Sequence, residues 1–97
     1  MPDLVLEHII KSHNPTKKYD AVLTHNGRRK VIPFGQAGAL DYLRTKDPAR
    51  RQRYLTRHRQ REDWANPLTP GFWSRWYLWE KPTAAQAETQ LRARFGL

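Results

Sequence analysis

Apolar residues gather in three short stretches in the first third of the chain. Leu4 to Ile10 is rich in aliphatic side chains, Tyr19 to Thr24 is half apolar, and Lys30 to Phe34 carries Val31 and Ile32. Short runs of this kind, bounded by turn formers, predict β-strands. Ser12-His13-Asn14-Pro15-Thr16 supplies the first turn, and His25-Asn26-Gly27-Arg28 the second. The Asn-Gly pair in the second accepts the positive φ angles that a tight hairpin needs. An antiparallel three-stranded meander follows. Pro33 has no N–H to donate to a ladder, so the third strand should end there or lie at an edge.

Beyond Gly35 and Gly38 the pattern turns helical. Asp47 is suited to cap a helix, and Pro48 to occupy its first position, where a missing N–H costs nothing. That helix is predicted to run to Arg61 or Trp64. At 100° per residue, Arg50, Arg53, Arg57 and Arg61 fall within an arc of about 80°, with Tyr54, Leu55 and His58 on an adjoining face. One side packs and the other carries charge. Asn66-Pro67-Leu68-Thr69-Pro70 breaks the chain, and Thr69 can cap a short helix from Pro70 to about Trp79. On it Phe72, Trp76 and Trp79 share a face and Trp73 stacks over Tyr77. Pro82 ends this helix. Thr83 and Gln86 have capping-box spacing and open a last helix that runs through Leu91 and stops before Gly96. The expected fold is a single α+β domain over residues 1–97, with a β-meander over 1–35 and two or three helices over 36–97 packed on it.

Composition changes the picture in one respect, which is charge. Eighteen Lys and Arg face nine Asp and Glu, for a formal charge of +9 in 97 residues. So dense a positive charge on so small a domain attracts nucleic acid, an anionic membrane surface or an acidic protein. Six arginines, Arg50, Arg51, Arg53, Arg57, Arg59 and Arg61, lie within twelve residues, and all four tryptophans follow between Trp64 and Trp79. A solvated helix face usually mixes signs, so a cationic stripe with few acids nearby points to polyanion contact. Its guanidinium forks suit phosphate and carboxylate. The tip Arg28-Arg29-Lys30 and the pair Lys17-Lys18 form a second candidate phosphate-contacting patch. Trp73, Trp76 and Trp79 read as core, and Trp64, beside Glu62 and Asp63, as the partly exposed one. A stacking platform for bases is the alternative use of such rings.

Other chemistry finds little support. There is no cysteine, which excludes disulfides, thiol catalysis and thiolate zinc sites and is compatible with a reducing compartment. His8, His13, His25 and His58 have no metal-ligand spacing, so neither metal nor cofactor is expected. Ser12 and Ser74 lack a neighbouring base in sequence. Asp41, Asp47 and Asp63 with His13-Asn14 would be the material for a metal-dependent nuclease, but nothing in their spacing is diagnostic. Gly35-Gln36-Ala37-Gly38 lacks the Lys-Ser/Thr continuation of a phosphate loop. The start of the chain has no signal-peptide pattern and no stretch reaches membrane-spanning length, so a soluble protein made in the cytosol is expected.

Longer signatures remain. Lys17-Lys18-Tyr19-Asp20-Ala21-Val22 is followed by Phe34-Gly35 with Gly38 and Asp41-Tyr42. Lys46-Asp47, Arg50, Tyr54, Arg57-His58 and Glu62-Asp63-Trp64 come next. Gly71-Phe72-Trp73-Ser74-Arg75-Trp76, the most distinctive run, leads into Leu78-Trp79 and Lys81-Pro82. Together they resemble a family of small basic proteins of nucleocytoplasmic large DNA viruses, over roughly residues 11 to 82. The resemblance carries over no catalytic residue. It implies a viral setting, in the host cytoplasm and the virion. The reading is a non-enzymatic, virion-associated structural protein that binds nucleic acid, duplex DNA without sequence preference, or acidic surfaces through the arginine-rich helix. A minor capsid or cement protein on acidic subunits is the alternative, and a small metal-dependent nuclease the weaker one.

Overall fold

A computed structural model describes residues 3–97. Strands β1 (Leu4–Lys11), β2 (Lys17–His25) and β3 (Arg28–Gln36) form an antiparallel sheet in the order β1-β2-β3. This is the expected meander. Asn26 and Gly27 take φ angles of 52° and 78°, the left-handed pair that closes the hairpin between β2 and β3. Pro33 stands opposite Asp20 inside β3, so the strand does not end there. It has a free edge, and a missing donor is tolerated on that side.

One face of the sheet is the core. Leu4 and Leu6 of β1, Ala21 and Leu23 of β2, and Ile32 and Phe34 of β3 are all buried there. Between Leu6 and His8 the register of β1 slips by one residue, since Leu6 faces Leu23 while His8 faces Val22. This bulge at Glu7 switches the parity of the strand. Ile9, not Ile10, therefore follows Leu4 and Leu6 onto the core side, and Ile10 is left exposed.

The helices are α1 (Tyr42–Thr45), α2 (Pro48–His58), α3 (Pro70–Trp73) and α4 (Ala84–Phe95). A π-helical segment, Ser74–Leu78, continues α3 without a break. The expected side-chain caps form at Asp47, Thr69 and Thr83, whose oxygens accept from backbone amides of the first turn. Helix α1 was not expected. Asp41 caps it by accepting from the Arg44 amide, and Lys46 ends it in a left-handed conformation.

Helix α2 is shorter than its sequence predicts, ending at His58 instead of Arg61 or Trp64. Had it continued, Trp64 would lie on the outer side of the helix beside Arg57, about 20° away. Instead the chain turns back. Glu62 accepts from Trp64 Nε1 at 2.9 Å, and the Trp64 carbonyl accepts from Trp76 Nε1 at 2.8 Å, which holds Trp64 against the core.

Aromatic residues from α3 and the π segment fill the space over the sheet. Phe72 and Trp73 are fully buried, and Trp76, Tyr77, Leu78 and Trp79 nearly so. Phe34 meets Tyr77 edge-on at 5.8 Å, and Phe72 meets Phe95 of α4 at 4.8 Å. The reading of Trp73, Trp76 and Trp79 as core holds, and Trp64 is half-buried. On the far side of the core, Arg92 of α4 donates to the Leu6 carbonyl at the bulge, at 3.0 Å.

Candidate polyanion-binding face

Helix α2 is fixed from inside. Tyr54 is buried and lies between two rings: Trp79 at 4.3 Å and nearly coplanar, and His58 at 4.3 Å. Burial pushes the Tyr54 hydroxyl far above the ordinary phenol range. His58 is held in turn by Glu62, whose Oε1 is 3.0 Å from Nδ1. This ladder of flat rings orients the opposite side of α2 toward solvent.

The structure sorts the cations into two sets. Arg51 points inward, donating through Nε to the Trp79 carbonyl and through Nη2 to Glu80, both at 2.7 Å. Arg75 is buried, donates to the same Glu80 oxygen at 2.6 Å and lies 4.2 Å from the Trp76 ring. Burial alone would raise the Glu80 carboxyl, but Arg75 and Arg51 outweigh it and hold the group below its ordinary value. Lys18 is also committed, to Asp41 and the Ala39 carbonyl, with a side chain only 13% exposed. Arg92 pairs with Glu88, and Arg94 lies over Trp76 at 4.5 Å.

Arg50, Arg53, Arg57 and Arg61 make no ion pair among the described residues. Arg53, Arg57 and Arg61 are exposed and Arg50 is half-exposed. The first three share the outer side of α2, and Arg61 follows in the turn beyond it. Its guanidinium reaches back to the Arg57 carbonyl at 3.4 Å. Arg59, also exposed, belongs to the same end.

Arg28, Arg29 and Lys30 are exposed at the hairpin tip, and Lys17 at the opposite end of β2. The tip does not join the α2 face. Nine residues of β3 separate Arg28 from Gln36, a span of about 26 Å at ~3.3 Å per residue. Gln36 lines the same cleft as Arg57, so the tip and the end of α2 lie at opposite ends of the sheet. Lys17 and Lys18, grouped by sequence, are separated in role because neighbours on a strand face opposite ways.

No group of three or more His, Asp or Glu that could hold a metal ion occurs among the described residues. Asp41, Asp47 and Asp63 are each spent locally. Asp41 pairs with Lys18, and Asp47 and Asp63 accept from nearby backbone amides. His13 and Ser12 both bind Asp20, a buried carboxylate that clips the first turn. Burial would raise Asp20, but hydrogen bonds from Ser12 and His13 outweigh it and hold the carboxyl low. No helix is long and apolar enough to cross a membrane.

Sequence reasoning missed that Arg51 and Arg75 are internal. It had one available signal, the acid at Glu80 amid the aromatic block. No curated protein and no solved structure matches the chain. A family model of unknown function, DUF5754, matches residues 7–58, which takes in the whole sheet from Glu7 onward and all of α2, and the chain belongs to that family.

Proposed function

We propose that the protein binds nucleic acid without sequence preference through the outer face of α2, as a structural component of a large DNA virus particle. The observation that carries this reading is the division of the cations. Arg51, Arg75, Arg92 and Lys18 are consumed by the fold. Arg50, Arg53, Arg57 and Arg61 are left unpaired along one side of a capped, buttressed helix. A row of free guanidinium groups costs self-repulsion, and phosphates relieve it. No set of polar side chains on this face is arranged to read base edges, so the contacts position the protein on a backbone. The resemblance to small basic proteins of large DNA viruses supports a virion setting reached from the host cytoplasm.

Duplex binding should be strongly salt-dependent. Four neutralised phosphates give a slope of about −4 in log affinity against log salt. Replacing the four arginines by glutamine should abolish most of that slope, and a wild-type slope near zero would sink the reading. Replacing them by lysine separates nucleic acid from an acidic protein partner. Counterion release counts charges, so DNA affinity should stay within about tenfold, whereas forked pairs with carboxylates would be lost together. Intact DNA binding with failed particle incorporation would favour the cement-protein alternative.

A further inference from the structure

A cleft of about 390 Å³ opens beside the C-terminal end of α2, against the residues after β3 and the start of the π segment. Its carboxylates are already engaged. Asp41 neutralises Lys18, and Glu62 accepts from Trp64 Nε1 and faces His58 Nδ1. Several donors are not. Arg57 has no acidic partner, and the hydroxyls of Tyr54 and Ser74 have no hydrogen-bond partner among the described residues. Neither hydroxyl is sealed away, because the fully buried polar atoms lacking a partner are Arg75 Nε and Gln90 Oε1. A carboxylate can only accept, so His58 presents Nδ1–H to Glu62 and leaves Nε2 for a ligand.

We propose that this cleft binds a phosphate monoester. One guanidinium, two hydroxyls and an imidazole nitrogen, drawn from α2 and the π segment, approach from more than one direction. A tetrahedral group with three terminal oxygens can use them together, whereas a planar carboxylate offers two oxygens in one plane. His58 Nε2 accepts from a phosphate hydroxyl or, once protonated, donates to an oxygen. Both faces of Tyr54 are covered by His58 and Trp79, so no base can stack on it, and recognition falls on the phosphate. His58 and Ser74 share no hydrogen bond, so the serine has no base to activate it and the cleft holds its ligand without cleaving it. Two sources carry this chemistry: a free mononucleotide, and the 5′-phosphate of a DNA strand. The second rests on the α2 reading above, since Arg57 belongs to both the face and the cleft.

Amide chemical-shift titration of the full chain tests the site. Inorganic phosphate and a deoxynucleoside 5′-monophosphate should each shift Tyr54, Arg57, His58 and Ser74 while leaving Arg28 to Lys30 in place. The double variant Tyr54→Phe with Ser74→Ala keeps the ring stack and should weaken monophosphate binding by about tenfold. Short duplexes with and without a 5′-phosphate distinguish the sources. Tighter binding of the phosphorylated duplex assigns the strand end, and equal binding with the mononucleotide still bound assigns the free nucleotide. No shift with millimolar phosphate and nucleotide, or unchanged affinity in a folded double variant, overturns the proposal. Replacing Arg50 and Arg53 by glutamine weakens duplex binding alone, so failure of the α2 face and failure of the cleft are distinguishable.

Discussion

Trp73→Ala is expected to unfold the protein at ordinary temperature. Trp73 is wholly buried, heads the largest such side chains, and meets Phe72 edge-on at 4.8 Å and Phe34 at 6.4 Å. Its indole also donates to the Pro67 carbonyl at 2.8 Å, pinning the loop before α3. Alanine leaves a cavity costing roughly 3 to 5 kcal/mol. The orphaned carbonyl adds about 1 to 3 kcal/mol. Domains of this size have about 5 to 15 kcal/mol in total, with small ones at the low end. Far- and near-ultraviolet circular dichroism should show loss of both signals, and a melt within a few degrees of wild type would contradict the assignment. Trp76→Ala should be destabilising by a smaller margin, because that ring is 8% exposed and partly covered by the mobile ends of Arg75 and Arg94.

Glu80→Ala should cost about 3 kcal/mol or more, because it strands a buried Arg75 and an inward-facing Arg51 that share one carboxylate oxygen. The effect has a pH signature. Glu80 titrates in the folded protein below its ordinary value of 4.5. The stability it contributes is therefore present above that value and is lost as pH falls through the lower, folded one. Urea unfolding of wild type and variant should differ widely at neutral pH, and the gap should narrow on acidification below about pH 4.5. Asp20 loses its own contribution in a lower window in both proteins, so it cancels from the comparison. A gap that stays constant down to full protonation would show that the clamp is not ionic.

The sheet and the caps were legible because they depend on local chemistry. Asn26-Gly27 dictates a tight turn, and Asp47-Pro48, Thr69-Pro70 and Thr83 start helices wherever they stand. Tertiary decisions were not legible. The end of α2 is set by Trp64 being drawn to Trp76, not by a helix breaker, and the bulge at Glu7 is set by the need to bring Ile9 inside. The same limit applies to charge. Arg50, Arg51 and Arg53 look alike in a string, and only the approach of Glu80 makes Arg51 a structural residue while its neighbours stay free. Tyr54, His58 and Ser74 could not be grouped from sequence, since sixteen positions separate His58 from Ser74 and the fold closes that gap.

The π-helical segment Ser74–Leu78 has a consequence for chain length. A π turn is an α-helix carrying one extra residue, and here the surplus falls amid a run of buried side chains from Arg75 to Trp79. Deleting a single residue there would relax the turn to α geometry and rotate everything after it by about 100°. Trp79 would then leave its place against Tyr54, and Glu80 would turn away from Arg51. Loops elsewhere can lengthen or shorten at little cost, but the spacing between Trp73 and Glu80 is held to the residue.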